Sequence, residues 1–459
     1  MLSKAKLWMH KVPPVRLIVI SFAIIILVGA CLLTLPVCTK AGQITSFLDA
    51  LFTAGSATCV TGLVLFDTYL HWTTTGQVII LLLIQVGGLG LVTFTTGMTL
   101  LLRKKLGLRN LQLAVENTNG DSGEIGSLIR MILAFTFSCE GIGALLLMIR
   151  FLPQMGRHGI WVSIFLAVSA YCNAGFDILG SVMANGNLIP YASDSLVNLT
   201  ICGLIIVGGI GFVVISDIYR SKLQPAMHRK KRHSLNFHSR IVLFMTILLL
   251  VLGTIIYFIL EYDNTLKPLH GLGSKLNVSF LQAVSPRTAG FASVDISKEH
   301  DFTKLFTVLL MFIGASPGST GGGIKTTTAL VLICTVLSIM RGDEEATFNH
   351  RRIDKFTIYR SLAITCIAIL LVLIVTGIIA NTTPGVNGTD ALFEATSAFG
   401  TVGLTAGVTP RLSTVSRIAV IITMYIGRVG PLSLGLAISL KRGHNRPDSV
   451  LPEGRIIVG

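Results

Sequence analysis

The segment DALFTAGSATCVTGL (49–63) has three counterparts further along the chain: VSIFLAVSAYCNAGF (162–176), NVSFLQAVSPRTAGF (277–291) and DALFEATSAFGTVGL (390–404). They align without gaps on Gly62, Gly175, Gly290 and Gly403, which lie 113, 115 and 113 residues apart. Each copy carries Phe ten residues before that glycine (Phe52, Phe165, Phe280, Phe393) and one Leu or Phe after it. An internal period decides the architecture before any single residue does, and this one divides the chain into four units.

The surroundings of each copy repeat as well. An apolar run precedes it (17–36, 127–149, 241–260, 361–380) and another follows (77–102, 196–219, 304–340, 414–440). Runs near 20 residues cross a ~30 Å hydrocarbon core, whereas the copies themselves read as amphipathic helices of about a dozen residues, too short to do so. Of the 459 residues 52% are hydrophobic and 13% charged, against roughly 25% charged in soluble domains. The expected fold is an all-α membrane protein with four tandem helix–pore loop–helix repeats around one pore. Eight transmembrane helices follow from that count. The repeats are expected at 1–110, 111–225, 226–345 and 346–459, with filter segments at 58–63, 172–177, 287–291 and 400–405. The second runs also echo one another in VGGLGLVTF (86–94), VGGIGFVVI (207–215) and IGRVGPLSL (426–434), whose small residues allow close helix packing in lipid. A cleaved signal peptide is the alternative for the first run, but LIVISFAIIILVGACLLTLP (17–36) exceeds the 7–15 residues of a signal core.

The net charge of +15 could suggest nucleic acid, but its distribution does not. The segments 1–16, 103–130, 220–240, 341–360 and 441–459 hold 25 of the 37 Lys and Arg. By the positive-inside rule these are cytoplasmic, with both termini inside and the short helices entering from the outer face. RKKRH (229–233) is then a topology signal, and the expected partner is the lipid bilayer, with no nucleic acid. The eight Cys have no framework spacing, and Cys31, Cys202, Cys334 and Cys366 lie in apolar runs where Cys behaves as a small hydrophobe. Cys59 and Cys172 share one position in units one and two; packing is expected, with a disulfide as the alternative.

Non-helical backbone at membrane depth survives only where protein buries it or it lines a wet cavity. Four similar loops can surround one axis and replace an ion's hydration shell with carbonyls. Glycine suits this role because it permits φ > 0, and the C-terminal dipole end of each short helix favours a cation. The filter candidates are Val60-Thr61-Gly62, Asn173-Ala174-Gly175, Thr288-Ala289-Gly290 and Thr401-Val402-Gly403, with K⁺ at their backbone carbonyls. The alternative is four ordinary helix C-caps, which accounts for one glycine but not for an even series. Asp49 and Asp390 are expected to cap their short helices, and Arg287 to point away from the cation, behind its loop.

GASPGSTGGGIKTTT (314–328) interrupts the second run of unit three. It resembles a phosphate-binding loop, but Ile324 separates Gly323 from Lys325, which breaks the required spacing. Gly314, Gly318, Gly321, Gly322 and Gly323, with Pro317, cannot support a regular helix. Lys325 at mid-membrane needs a pore or a partner. A polar loop beneath the filter is the expected arrangement, and the corresponding runs in the other units read as less interrupted. Ser316, Ser319 and Thr320 complete the candidate gate, together with Arg428 of YIGRVGP, for which an ion pair with Glu140 is the alternative. On the cytoplasmic face GDEE (342–345), HRR (350–352), the linkers 103–126 and 220–240 and the terminal IIVG are candidate docking or interface surfaces.

These motifs together resemble the Trk/Ktr/HKT superfamily of potassium-uptake proteins over essentially the whole chain, and the Ktr-type membrane subunit (KtrB-like) most of all. The resemblance implies four unlike repeats forming one pore in a single subunit, each filter loop giving one glycine, and an intramembrane loop at 314–328 with an Arg at the position of Arg428 at the constriction. Four glycines are similar to the potassium-selective members. It further implies a homodimer on a cytosolic nucleotide-binding regulatory ring (KtrA-like), K⁺ as permeant ion, Na⁺ as a candidate activator, and no nucleotide on this chain. The expected function is passive, potassium-selective conduction without enzymatic chemistry. A cation-coupled secondary transporter of the Na⁺/K⁺ symport kind, built on the broken helix, is the alternative; a membrane ATPase using 314–328 is a weaker one.

Overall fold

The computed structural model describes residues 14–89, 125–219, 221, 234–343, 345–431 and 435. The N-terminal basic segment, RKKRH, most of the linkers 103–126 and 220–240, Glu344, the far ends of the second runs in units one and four, and the IIVG tail lie outside the described residues.

The described chain is helical apart from a hairpin of two short strands. The first unit contains α1 (Pro14–Leu33), α2 (Phe47–Thr58), the single turn α3 (Thr68–His71) and α4 (Thr74–Gly88). The second has α5 (Ile125–Met155), α6 (Arg157–Tyr171), α7 (Ser195–Ile210) and α8 (Phe212–Ile218). The third has α9 (Phe237–Glu261), α10 (Leu272–Val284), α11 (Asp301–Phe312) and α12 (Thr326–Arg341). After the antiparallel hairpin β1 (Thr347–Phe348) and β2 (Arg351–Arg352) come α13 (Lys355–Thr382), α14 (Gly388–Gly400) and α15 (Thr414–Val429). Among the described residues α1, α5, α9 and α13 are long and apolar enough to cross a membrane, and α7 with α8 makes a fifth if counted as one span. These four are the apolar runs that open each unit. Their outer faces stay apolar and uncovered, as at Leu370 and Leu373 of α13, which suits lipid.

Polar caps set several helix starts. Ser46, Asp194, Asp354 and Ser413 accept backbone N–H bonds at the N-termini of α2, α7, α13 and α15, satisfying donors that a helix leaves free. The core lies between units, wrapped on the short helices. One apolar cluster joins α2, α6 and α10 through Ala54, Phe165 and Leu281, and another joins α2 to α14 through Phe52 and Ala398. Three of the four periodic phenylalanines (Phe52, Phe165, Phe393) are fully buried, and Phe280 is partly so.

A second periodic contact seats the short helices. A side chain at Gly87, Gly208 or Gly427 would overlap the carbonyl oxygen of Thr58, Tyr171 or Phe399 respectively. Each of those carbonyls stands four residues before its filter glycine. Only glycine lets the second helix approach this closely. Unit three departs, because Gly314 faces the Gly322 carbonyl of its own loop.

The corresponding runs of units two and four, expected to be less interrupted than that of unit three, are also broken. In unit two α7 and α8 meet at 94°, with Gly211 at φ +98°. A Cβ on Gly211 would come within 2.6 Å of the Pro317 carbonyl oxygen, so this bend makes room for the loop of unit three. In unit four α15 ends where Gly430 adopts φ +89°.

Candidate functional site

The four glycine segments close into one ring. A Cβ on Gly62 would lie 2.5 Å from the Ala174 carbonyl oxygen, one on Gly175 2.8 Å from that of Ala289, and one on Gly290 2.5 Å from that of Val402. One on Gly403 would lie closer still to the Thr61 carbonyl oxygen, and 2.9 Å from Gly62 Cα. Each glycine therefore abuts the next unit, in the order one, two, three, four and back to one. No side chain larger than hydrogen fits there without shifting a neighbouring backbone.

The backbone of all four segments has the same alternation. The glycines have φ of +91°, +71°, +76° and +93°, and two residues earlier Val60, Asn173, Thr288 and Thr401 have +57°, +59°, +71° and +50°. Left-handed residues separated by one ordinary residue turn successive carbonyls to one side, as a carbonyl-lined ion path needs. The amides point the other way, into the short helices. Thr61, Ala174 and Val402 N–H donate to the carbonyls of Ser56, Ser169 and Ser397 at 2.8, 2.7 and 2.9 Å, and Ala289 N–H to that of Ser285 at 2.9 Å. The N–H groups of Gly62 and Gly403 donate to the hydroxyls of Ser56 and Ser397, both at 3.1 Å. Sequence reasoning missed these serines. Ser stands six residues before the glycine in units one, two and four, with Val284 in unit three, and that column was the available signal.

The loop between α11 and α12 sits against this ring. A bridge between Ile313 and Ile324 closes its neck, with Gly318 and Gly323 left-handed. Its tip meets units three and four: Gly322 N–H donates to Thr401 Oγ1 at 3.0 Å, and a Cβ on Gly321 would overlap Thr288 Oγ1. Its other side rests on the unit-two bend. There Ser316 N–H donates to the Gly209 carbonyl at 3.2 Å, the Thr320 hydroxyl to that of Gly208 at 3.2 Å, and Phe212 N–H to that of Gly318 at 3.0 Å. Ser319 accepts the Gly321 N–H within the loop at 3.4 Å. Lys325 turns inward, its Nζ donating to the Gly321 and Gly322 carbonyls at 2.7 and 3.3 Å.

Arg428 is buried and donates to two carbonyls, Thr320 of the loop and Gly87 of α4. It bridges units four, three and one at the loop. The ion pair with Glu140 does not form; Glu140 accepts from Gln85 Nε2 instead. Arg287 points away from the ring, its Nη2 donating to Thr246 Oγ1 of α9 at 3.3 Å. Cys59 and Cys172 are buried free thiols.

The expected caps at Asp49 and Asp390 need correction too. Ser46 caps α2, and α14 has no side-chain cap. The two carboxylates pair across units instead: Asp49 with Arg417 of α15 at 2.6 Å, and Asp390 with Lys304 of α11 at 2.9 Å. Between units one and two the Trp161 Nε1–H donates to Gln77 Oε1 at 2.8 Å. A basic neighbour four residues into the second helix of one unit attracts these acids more strongly than backbone N–H groups do.

Comparison with known proteins gives the family. The profile of the family described as TrkH, cation transport protein, matches residues 11–446. The Ktr system potassium uptake protein B of Bacillus subtilis is 40% identical, covering 98% of each chain. The potassium/sodium uptake protein NtpJ of Enterococcus hirae is 37% identical, again over 98% of each. In fold, the chain is similar to the crystal structure of the potassium transporter TrkH from Vibrio parahaemolyticus, with TM-score 0.69 and 16% identity over 92% of this chain and 84% of the other. The chain belongs to the TrkH family of cation transport proteins, as a multi-pass membrane protein.

Proposed function

We propose that the chain is the potassium-selective conducting subunit of a bacterial K⁺ uptake system. K⁺ passes through the ring at Gly62, Gly175, Gly290 and Gly403, held by the carbonyls of Val60, Thr61, Asn173, Ala174, Thr288, Ala289, Thr401 and Val402. The observation that carries this reading is the closed ring with its fourfold alternation of left-handed residues. Entry follows the membrane potential, worth about 2.3 kcal/mol per charge per 100 mV. Eight membrane passes in four repeats at 1–110, 111–225, 226–345 and 346–459, with both termini cytoplasmic, belong to the same proposal.

The loop 314–328 is the gate in this reading. It is supported by the contacts of Gly321 and Gly322 with Thr288 and Thr401, and by the Arg428 clamp on Thr320. Gly314, Ser316, Gly318, Ser319, Gly323 and Lys325 shape it. The name of the Bacillus relative speaks of a Ktr system, which supports a regulatory partner; a homodimer on a cytosolic nucleotide-binding ring is the assembly proposed, with no nucleotide on this chain. The name of the Enterococcus relative joins potassium to sodium, which favours keeping Na⁺ as activator, or a Na⁺/K⁺ symporter, as the second reading.

The test is cation flux into proteoliposomes containing this protein alone, comparing K⁺, Rb⁺, Na⁺ and Li⁺, with Gly290→Ser and a deletion of 318–323 alongside. Passive K⁺-selective flux, less selective in the serine variant and larger in the deletion, supports channel and gate. Flux that appears only with a Na⁺ gradient supports the symporter.

A further inference from the structure

Glu140 stands halfway along α5 and is buried, 4% exposed. An acid at membrane depth is costly unless it faces a partner or a path. Its partner is Gln85 of α4, whose Nε2 donates to both carboxyl oxygens at 3.1 and 3.3 Å. The Cys172 thiol lies 3.8 Å from Glu140 Oε1 and 3.8 Å from Gln85 Oε1, within reach of a weak S–H bond to either. Gly88 presses α4 onto the same sulfur, leaving no room for a Cβ. Two strands of the site leave from this cluster. Cys172 is followed at once by Asn173, the left-handed residue of the second filter segment. Gln85 lies two residues before Gly87, whose carbonyl receives Arg428.

We infer that Glu140 is a positioning residue for cation selection, holding the second filter segment through Cys172 and the Arg428 acceptor at Gly87 through Gln85. The inference rests on the filter reading proposed above. The carboxyl touches no ion. It acts by fixing where the Asn173 and Ala174 carbonyls stand relative to Gly62, which abuts Ala174 directly. A merely structural role predicts lower stability with unchanged ion preference.

The experiment measures the K⁺/Na⁺ flux ratio in proteoliposomes for wild type, Glu140→Gln, Glu140→Leu, Glu140→Asp, Gln85→Leu and the double variant Glu140→Leu/Gln85→Leu. Glu140→Gln retains an acceptor for Gln85 and is expected to stay within about twofold of the wild-type ratio. Glu140→Leu and Gln85→Leu are expected to lower the ratio at least about fivefold, and the double variant no further than Glu140→Leu alone, because loss of the carboxyl already releases Gln85. If Glu140→Leu does not fold, Glu140→Asp carries the test, since one methylene less withdraws the same group from Cys172 and is expected to lower the ratio too. Wild-type ratios in the folded leucine or aspartate variants, with wild type K⁺-selective, overturn this inference and leave the filter reading standing. A wild type without K⁺ selectivity overturns both.

Discussion

Val60 is a β-branched residue at φ +57°, a conformation such side chains rarely adopt. Strain of this kind costs on the order of 1–3 kcal/mol and persists where the surroundings over-determine it. Here the surroundings are the ring, in which each backbone is fixed by the next. Gly403→Ala should therefore act on selection before it acts on folding. Its methyl group would meet the Thr61 carbonyl, and K⁺/Na⁺ discrimination should fall about tenfold, some 1.4 kcal/mol, as read from flux ratios. The glycine column was legible because it repeats. The cross-unit role of Asp49 was not, since an acid at a helix start looks like a cap and its partner Arg417 is 368 residues away. A second residue-scale effect concerns Glu299, outside the membrane-spanning segments. Burial pushes its carboxyl up to about 8, although Tyr257 donates to it at 2.7 Å; an ordinary Glu titrates near 4.3. The folded state holds a proton that the unfolded state releases, so stability declines as pH rises from about 4.3 through about 8. Glu299→Gln should flatten that part of the pH dependence of Tm, measured in detergent between pH 5 and about 9.

At the scale of elements, the loop is held by bonds from three units, and their strengths rank its variants. Arg428 supplies charge-assisted bonds to Thr320 and Gly87, and a hydrogen bond to a charged group contributes about 1.5–3 kcal/mol. Arg428→Gln should therefore raise basal flux about tenfold or more. Lys325 grips only carbonyls of its own loop, so Lys325→Met should raise basal flux far less. Equal effects of the two would argue against a clamp across units. The loop was legible from its glycines and Pro317, which no helix tolerates together. The bend at Gly211 was not: VGGIGFVVI (207–215) is apolar throughout, and a glycine inside such a run signals close packing as readily as a break. Only the Pro317 carbonyl lying against Gly211 distinguishes the two.

For the whole molecule, the question is what closes four covalently linear units into a ring. Apolar packing alone is a weak answer in lipid, where separated helices already lie among hydrocarbon. Three of the four seams between units carry a polar contact at one recurring place, the fourth residue of the second helix against the start of the next unit's short helix; at the seam of units two and three that residue, Asn198, donates to the Tyr191 and Ala192 carbonyls of its own unit. Gln77 meets Trp161, Lys304 meets Asp390 and Arg417 meets Asp49. The last of these joins the end of the chain to its beginning. Period and composition point to four units, but not to how one would recognise the next, because that information sits in pairs far apart in sequence. Removing one partner of a buried ion pair leaves a charge uncompensated and costs about 3–5 kcal/mol, whereas an exposed pair contributes about 0–1. Lys304→Met and Asp390→Asn should each lower Tm by several degrees, and the double variant by less than their sum, since each single change leaves the other charge stranded. The pair Arg150–Asp194 is the control: its arginine is 48% exposed, and its double-variant cycle should show almost no coupling. If the two cycles gave the same coupling, the seams would be ordinary surface contacts, and ring closure would have to come from the filter glycines and their carbonyl neighbours alone.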